Sequence, residues 1–425
     1  MLLWRRYVTP KHLRIYPTLH PLSGLTDVPF VRLAQGGYAS RHLHELHKTH
    51  HVIRTGPNTL SYGAPEALKD IYGHVTACVK DRFYSETPGS HAYLADVVDK
   101  AEPARKRKAL SSVHAIKNLE EWEGKAGDMT RRLIEVFDNN CTKPLLSGVA
   151  VPKEEDLTID YRAWTNYFTM AAIANTGLSE DLGFLEQGND KIRFESMGRT
   201  TKQVAVRECR EASGTLSYRP IWAYAWFHIL KRLGTTLSPY YRKLNALDAD
   251  SNEDVYNPAT TRPRCLERLR DELDDVLVEE VVAPYSKVKR LPYLRACIDE
   301  GLPMLPPVIM STPRRTMPEG ASILGEFIAG DTWVSMPAYV VRHDEPIFKD
   351  HDSYQPKRWL GEDGKALQSH FVSFSTGARA CTGRNISYLE QTVLLASLWD
   401  PPIPKTTNLS PGPMPLKIWR GVRSD

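Results

Sequence analysis

The chain contains no C-x-x-C. Its six cysteines stand at positions 78, 141, 209, 265, 297 and 381. That scatter excludes a zinc knuckle and suggests no disulfide framework, so a reducing intracellular compartment is the plainer expectation. Charge of one sign is equally scarce. With 55 Lys and Arg against 51 Asp and Glu, the formal net charge of +4 argues against a nucleic-acid partner. Long apolar runs are missing as well. Met1-Leu2-Leu3-Trp4 gives way to Arg5-Arg6, far short of the roughly 20 apolar residues that span a bilayer and shorter than a signal-peptide apolar region. The expectation is a chain with no transmembrane anchor of its own. Neither G-x-G-x-x-G nor G-x-x-x-x-G-K-[ST] occurs, which removes the foothold for a nucleotide-binding dehydrogenase or a kinase. No internal repeat or low-complexity segment is present.

What remains is a composition of 41% hydrophobic and 25% charged residues over 425 positions, ordinary for a globular protein and long enough to enclose a cofactor. Residues up to Pro21 read as an irregular lead-in. Residues 40–51 read as a polar helix. Val52–Thr55 and Thr59–Tyr62 read as strands around the turn Gly56-Pro57-Asn58, and Pro65–Tyr72 as a short helix opened by proline. Helical spacing recurs over 103–138, 159–176, 218–233 and 263–278, and again over Tyr293–Leu302, which ends at Pro303. Short extended segments follow at 321–324, 326–328 and 332–336. The fold class is mainly α with a small β portion.

The histidine-rich run Arg41–His51 invites a metal reading. The zinc-protease spacing from His44-Glu45 would need histidine at 48, where Lys48 stands. His47 and His51 are one turn apart, but a solvated helix face is the expectation.

The chemistry lies in Phe374-Ser375-Thr376-Gly377-Ala378-Arg379-Ala380-Cys381-Thr382-Gly383. It fits F-x-x-G-x-R-x-C-x-G at all five fixed positions, a match that chance would produce in roughly one chain in ten thousand. Cysteine can offer a haem iron a thiolate, whose electron donation promotes O–O cleavage. The stripe Ile386, Leu389, Val393, Leu394 predicts a helix just after Cys381, whose N-terminus favours the anion. Gly377 and Gly383 let the backbone turn and approach a flat macrocycle. Arg379 offers a bidentate cation to a propionate, and Phe374 would shield the sulfur.

This loop resembles the iron-ligating loop of cytochromes P450, the fungal kind in particular. Tyr354-Gln355-Pro356-Lys357-Arg358-Trp359 resembles the family's F-x-P-E-R-W segment. Pro306-Pro307 with Arg314, Pro318-Glu319-Gly320 and Gly330-Asp331-Thr332 resembles its β-region. Arg54–Asn58 and Pro65–Gly73 look like its first strands and helix. The run Arg105–Leu110 resembles the basic helix over the haem edge, which makes Arg107, and secondarily Arg314, propionate candidates. The resemblance implies one domain over 1–425 with a haem-binding loop at 371–383. It also implies haem b, O2, a small lipophilic substrate touched by Pro307–Met310, and electrons from a separate NADPH-dependent reductase. Family analogy further points to the endoplasmic reticulum surface.

Two departures qualify what the resemblance implies. The family's E-x-x-R reads Glu300-Gly301-Leu302-Pro303 here, so the expectation is that Arg358 pairs directly with Glu300. The central-helix motif A-G-x-[DE]-T, whose acid and alcohol help relay protons to bound oxygen, is absent. Only Pro258-Ala259-Thr260-Thr261 precedes the Pro263 helix, and the segment 235–262 is too short and polar to supply that helix. A P450 fold lacking part of its central helices, with an apparent deletion point at 235–262, is expected. Three functions therefore stay open: monooxygenase, a relative with isomerase or dehydratase chemistry, and a non-catalytic remnant.

Overall fold

A computed structural model describes residues 13–35, 39–81, 84, 98, 119–140, 158–178, 180–195, 201–206, 263–277, 280–304, 312–398 and 415–417. Arg107 and its basic run, the helix expected at 218–233, the 235–262 segment and Pro307–Met310 lie outside these residues. The lead-in is more ordered than its composition suggests. Leu13–Ile15 forms a 3-10 turn with Leu13 buried, and Leu19 N–H donates to Arg54 O at 3.0 Å.

Helix α1 (Ala39–His47) leads into strands β1 (Val52–Gly56) and β2 (Thr59–Tyr62), which pair antiparallel with Ile53 opposite Ser61. Helix α2 (Ala67–Tyr72) follows, then β3 (Cys78–Lys80). The long helices α3 (Leu119–Asn140) and α4 (Tyr161–Leu178) pack on each other through Met129, Leu133, Phe137 and Phe168. After α5 (Pro263–Asp274) comes α6 (Pro292–Met304), one turn of which carries Pro303. The helix therefore runs past the proline by one residue, losing one backbone donor near its end rather than in its middle.

Strands β4 (Arg314–Thr316) and β5 (Trp333–Ser335) complete a five-stranded sheet of order β1-β2-β5-β4-β3. The β2–β5 pair is parallel and the rest antiparallel. A separate hairpin joins Ala321–Ile323 to Glu326–Ile328. Leu60, Tyr62, Ile71, Tyr72, Val334 and Met336 form the core between this sheet and α2. The short helix α7 (Ala338–Arg342) then packs on α1, and α8 (Arg384–Ser397) closes the described fold against α3 and α6. Helix α8 forms where the apolar stripe predicts it. Leu389 and Val393 meet Ala126 of α3, and each such buried side chain stabilises by about 1.5–3 kcal/mol.

The histidine-rich helix departs from expectation. His44 is buried, because α7 lies across α1. His47 is occupied at both nitrogens, with Nδ1 donating to His50 O at 2.8 Å and Nε2 2.9 Å from Ser61 Oγ. Only the outer residues, including His42, His50 and His51, face solvent as a polar helix face would.

Candidate haem-thiolate site

The loop before α8 is held by its own backbone. Cys381 N–H donates to Phe374 O at 2.8 Å, Ser375 N–H to Val372 O at 2.8 Å, and Ala380 N–H to Gly377 O at 3.1 Å. Between them Gly377–Arg379 makes a single 3-10 turn. Gly377 has φ +70°, and a Cβ there would sit 2.0 Å from Tyr72 O at the end of α2. Glycine is required on both counts. The tight contact locks the loop against the sheet-side core.

Cys381 is exposed, two residues before Gly383, the N-cap of α8. A Cβ on Gly383 would lie 3.9 Å from Cys381 Sγ, so the sulfur stands beside the helix start, where unpaired N–H groups and the dipole favour negative charge. Phe374, half-buried, lies 5.3 Å from the Tyr388 ring and 6.2 Å from Phe371. The Arg384 guanidinium lies 6.0 Å from the Phe374 ring. Arg379 is partly buried on the same turn. Arg314 is buried on β4, its guanidinium 4.9 Å over the Tyr72 ring, with Nη1 donating to Pro313 O at 3.2 Å. Tyr72 thus lies between the two arginine candidates, its backbone against Gly377 and its ring under Arg314.

Behind the loop stands Glu300, fully buried on α6. Its Oε1 accepts from Arg342 Nη2 at 3.1 Å and from Gln355 N–H at 2.9 Å, and its Oε2 accepts from Trp359 Nε1 at 2.7 Å. Arg358 Nε stands 3.3 Å from the same Oε1. The rest of the Arg358 guanidinium donates to Lys349 O, Asp350 O and Ser353 O at 2.6, 3.2 and 3.1 Å. Glu300 and Arg358 are therefore brought together, with Arg358 also tying down the loop at 349–353.

Sequence reasoning missed Arg342. It supplies the hydrogen-bonded guanidinium that Pro303 cannot, from the end of α7. Burial lowers its pKa, and the Glu300 charge offsets that only in part. Also missed was a second acid on α6. Asp299 accepts from Arg295 Nε at 2.9 Å and from Tyr388 OH at 2.6 Å. Arg295 and Asp299 at i, i+4 carry a readable signal. Tyr388 extends the stripe of α8 and links α6 to Phe374. Glu390, on the same helix, has its pKa raised to about 7 by burial.

Residues 260–399 match the family model described as Cytochrome P450. Curated relatives match over most of the chain. The cytochrome P450 monooxygenase AMT3 of Alternaria alternata is 26% identical over 416 residues, covering 86% of this chain and 83% of the relative. The cytochrome P450 monooxygenase efuB of Hormonema carpetanum is 26% identical over 437 residues, covering 88% and 83%. The averantin hydroxylase of Dothistroma septosporum is 23% identical over 457 residues, covering 94% and 83%. With a cysteine loop opening α8, a buried glutamate behind it and fungal monooxygenases similar to it along most of its length, this chain is similar to the cytochromes P450.

Proposed function

We propose that the chain is a haem-thiolate monooxygenase that inserts one oxygen atom from O2 into a small lipophilic compound of fungal secondary metabolism. The observation that carries this reading is Cys381, an exposed sulfur beside the N-cap of α8 in a loop whose turn depends on Gly377. The residues present fit haem b by their donor chemistry: one thiol at a helix start, an aromatic ring nearby, and cationic side chains on the adjoining turn and strand. A bound thiolate-ligated haem supplies oxygen activation. Cys381 would hold its iron, and the start of α8 would favour the anionic sulfur. Phe374 would keep water from the sulfur. Arg379, Arg314 and Arg107, the last outside the described residues, would orient the propionates. Gly383 leaves the turn into α8 open, and Glu300 with Arg358 and Arg342 braces the segment behind it.

Electrons would come from an NADPH-dependent reductase, since the chain has no nucleotide-binding motif of its own. Among the described residues no helix is long and apolar enough to cross a membrane, and family analogy points to the surface of the endoplasmic reticulum. The reading treats the chain as one domain with a deletion point at 235–262. The test is optical: the haem-supplied protein is reduced under carbon monoxide. The red-shifted Soret band of a thiolate-ligated haem is expected, and its absence, or its survival in Cys381→Ala, overturns the assignment.

A second reading rests on the absent acid and alcohol of the central helix. It is haem binding without oxygen insertion, either as isomerase or dehydratase chemistry or with no catalysis. Turnover without NADPH, or an intact carbon monoxide spectrum with no turnover on any lipophilic panel compound, would favour it.

A further inference from the structure

Outside the cysteine loop, three imidazoles gather where α7 crosses α1. His343, which caps α7, is 8% exposed and stacks on Tyr339 at 3.7 Å. The His351 ring lies 4.6 Å from it, and His44 of α1 closes another side at 5.4 and 6.0 Å from the two.

His343 Nδ1 lies 2.8 Å from Tyr339 O. A carbonyl only accepts, so Nδ1 carries the proton and Nε2 is left with its lone pair. That Nε2 stands 3.6 Å from Asp352 Oδ1. On His351, Nε2 stands 3.4 Å from Glu345 Oε2, while Nδ1, with no hydrogen-bond partner among the described residues, is buried 3.3 Å from the same Asp352 Oδ1. His343 thus has one nitrogen held by an outer carbonyl and His351 has one nitrogen near an outer carboxylate, while the other nitrogen of each ring is turned toward Asp352. Metal-ligating histidines are oriented by this same arrangement of outer carbonyl or carboxylate. One ligand atom from each of His343, His351 and Asp352 lies within 4.8 Å of the others. Bonds of about 2.0–2.1 Å to a tetrahedral zinc put neighbouring ligand atoms roughly 3.3 Å apart. A small closure would therefore seat an ion.

The geometry points to a divalent transition-metal site formed by His343 Nε2, His351 Nδ1 and Asp352, with the fourth position open to water. Two imidazoles and one carboxylate suit zinc, cobalt or nickel rather than calcium or magnesium. The site would be structural. It joins the end of α7 to the 350–353 loop, the loop that Arg358 holds by its carbonyls, and so clamps the segment around Glu300 from outside. It is separate from the cysteine loop and does not rest on the proposed monooxygenase activity.

The test uses the full chain, chelator-treated and titrated with zinc by calorimetry and with cobalt by visible absorption. One equivalent should bind, with the intense d–d bands of four-coordinate cobalt, and zinc should raise the melting temperature. Asp352 is 81% exposed, so Asp352→Asn tests the site without disturbing the core. It should weaken zinc at least tenfold, as should His351→Ala. His42→Ala and His51→Ala, which alter exposed histidines of the α1 region, should bind as the parent does. Zinc binding unchanged in Asp352→Asn and His351→Ala, lost in His42→Ala or His51→Ala, or absent in the parent overturns the site.

Discussion

Arg342 Nη2 donates to Glu300 Oε1 at 3.1 Å across 42 positions of sequence, with the two side chains 2% and 0% exposed. The family's arginine on α6 is replaced by Pro303, yet the buried carboxylate is not left to Arg358 alone. Arg342 Nε and Nη1 have no hydrogen-bond partner among the described residues, so Glu300 carries most of the compensation for burying this cation. Removing one member of such a pair strands the other. Arg342→Met should cost about 3–5 kcal/mol of folding stability, read from denaturant melts. In a Glu300→Gln background the same change should cost much less. Equal costs in both backgrounds would remove the coupling.

The same geometry predicts that restoring the family's arginine does harm. Pro303 is buried one turn after Glu300, on the face where Arg342 and Arg358 already meet the carboxylate. A third guanidinium there would be buried without an acceptor of its own. Pro303→Arg should lower stability by about 2 kcal/mol or more, despite regaining a helix N–H. A gain in melting temperature would show that the existing pairs give way to it.

Tyr388 ties the acid side of α6 to the cysteine loop. Its hydroxyl donates to buried Asp299 at 2.6 Å, and its ring touches Phe374. Tyr388→Phe leaves the ring and removes the donor, so the loss should be about 1–3 kcal/mol. Haem retention during dialysis should fall in parallel if the loop depends on this link.

Glu390 predicts a pH dependence. Burial raises its pKa from 4.5 to about 7, and its Oε1 has no hydrogen-bond partner among the described residues. The folded state therefore holds a proton that the unfolded state releases, and stability falls as pH rises from about 4.5 to about 7. Glu390→Gln removes this dependence. The variant should match the parent below pH 4.5 and exceed it above pH 7, by about 3 kcal/mol. A stability gap that is the same at both ends of that range would show that Glu390 does not titrate in it.

How much of this was readable in advance depended on sequence distance. The loop from Phe374 to Gly383 and the helix after it are local patterns, and the β1–β2 hairpin follows from its turn residues, so all three stand where the spacing puts them. The Arg358–Glu300 approach was reached through resemblance. Arg342 was not, because nothing next to it in sequence distinguishes it from any arginine ending a short helix. His44 was misjudged for a related reason. A helix rich in histidine reads as solvated until α7, some 300 residues later, is laid across it. Tyr388 and Asp299 pair across 89 positions, beyond the reach of any period.

Gly377 offers the most direct test of how the cysteine loop is held. Its φ of +70° is one that other residues adopt at a cost of about 1–3 kcal/mol. The added methyl would also meet Tyr72 O at 2.0 Å and the Gly73 carbonyl carbon at 2.8 Å, both of them backbone atoms that cannot rotate away. Either the loop or the end of α2 must move. If the loop moves, Cys381 shifts with it, since its N–H is bonded to Phe374 O across the same turn. Gly377→Ala should therefore lose at least about 2 kcal/mol and give a weaker, blue-shifted carbon monoxide band than the parent. A variant with parent stability and spectrum would mean that the turn does not position the sulfur. A destabilised variant with an unaltered spectrum would place the accommodation in α2 instead.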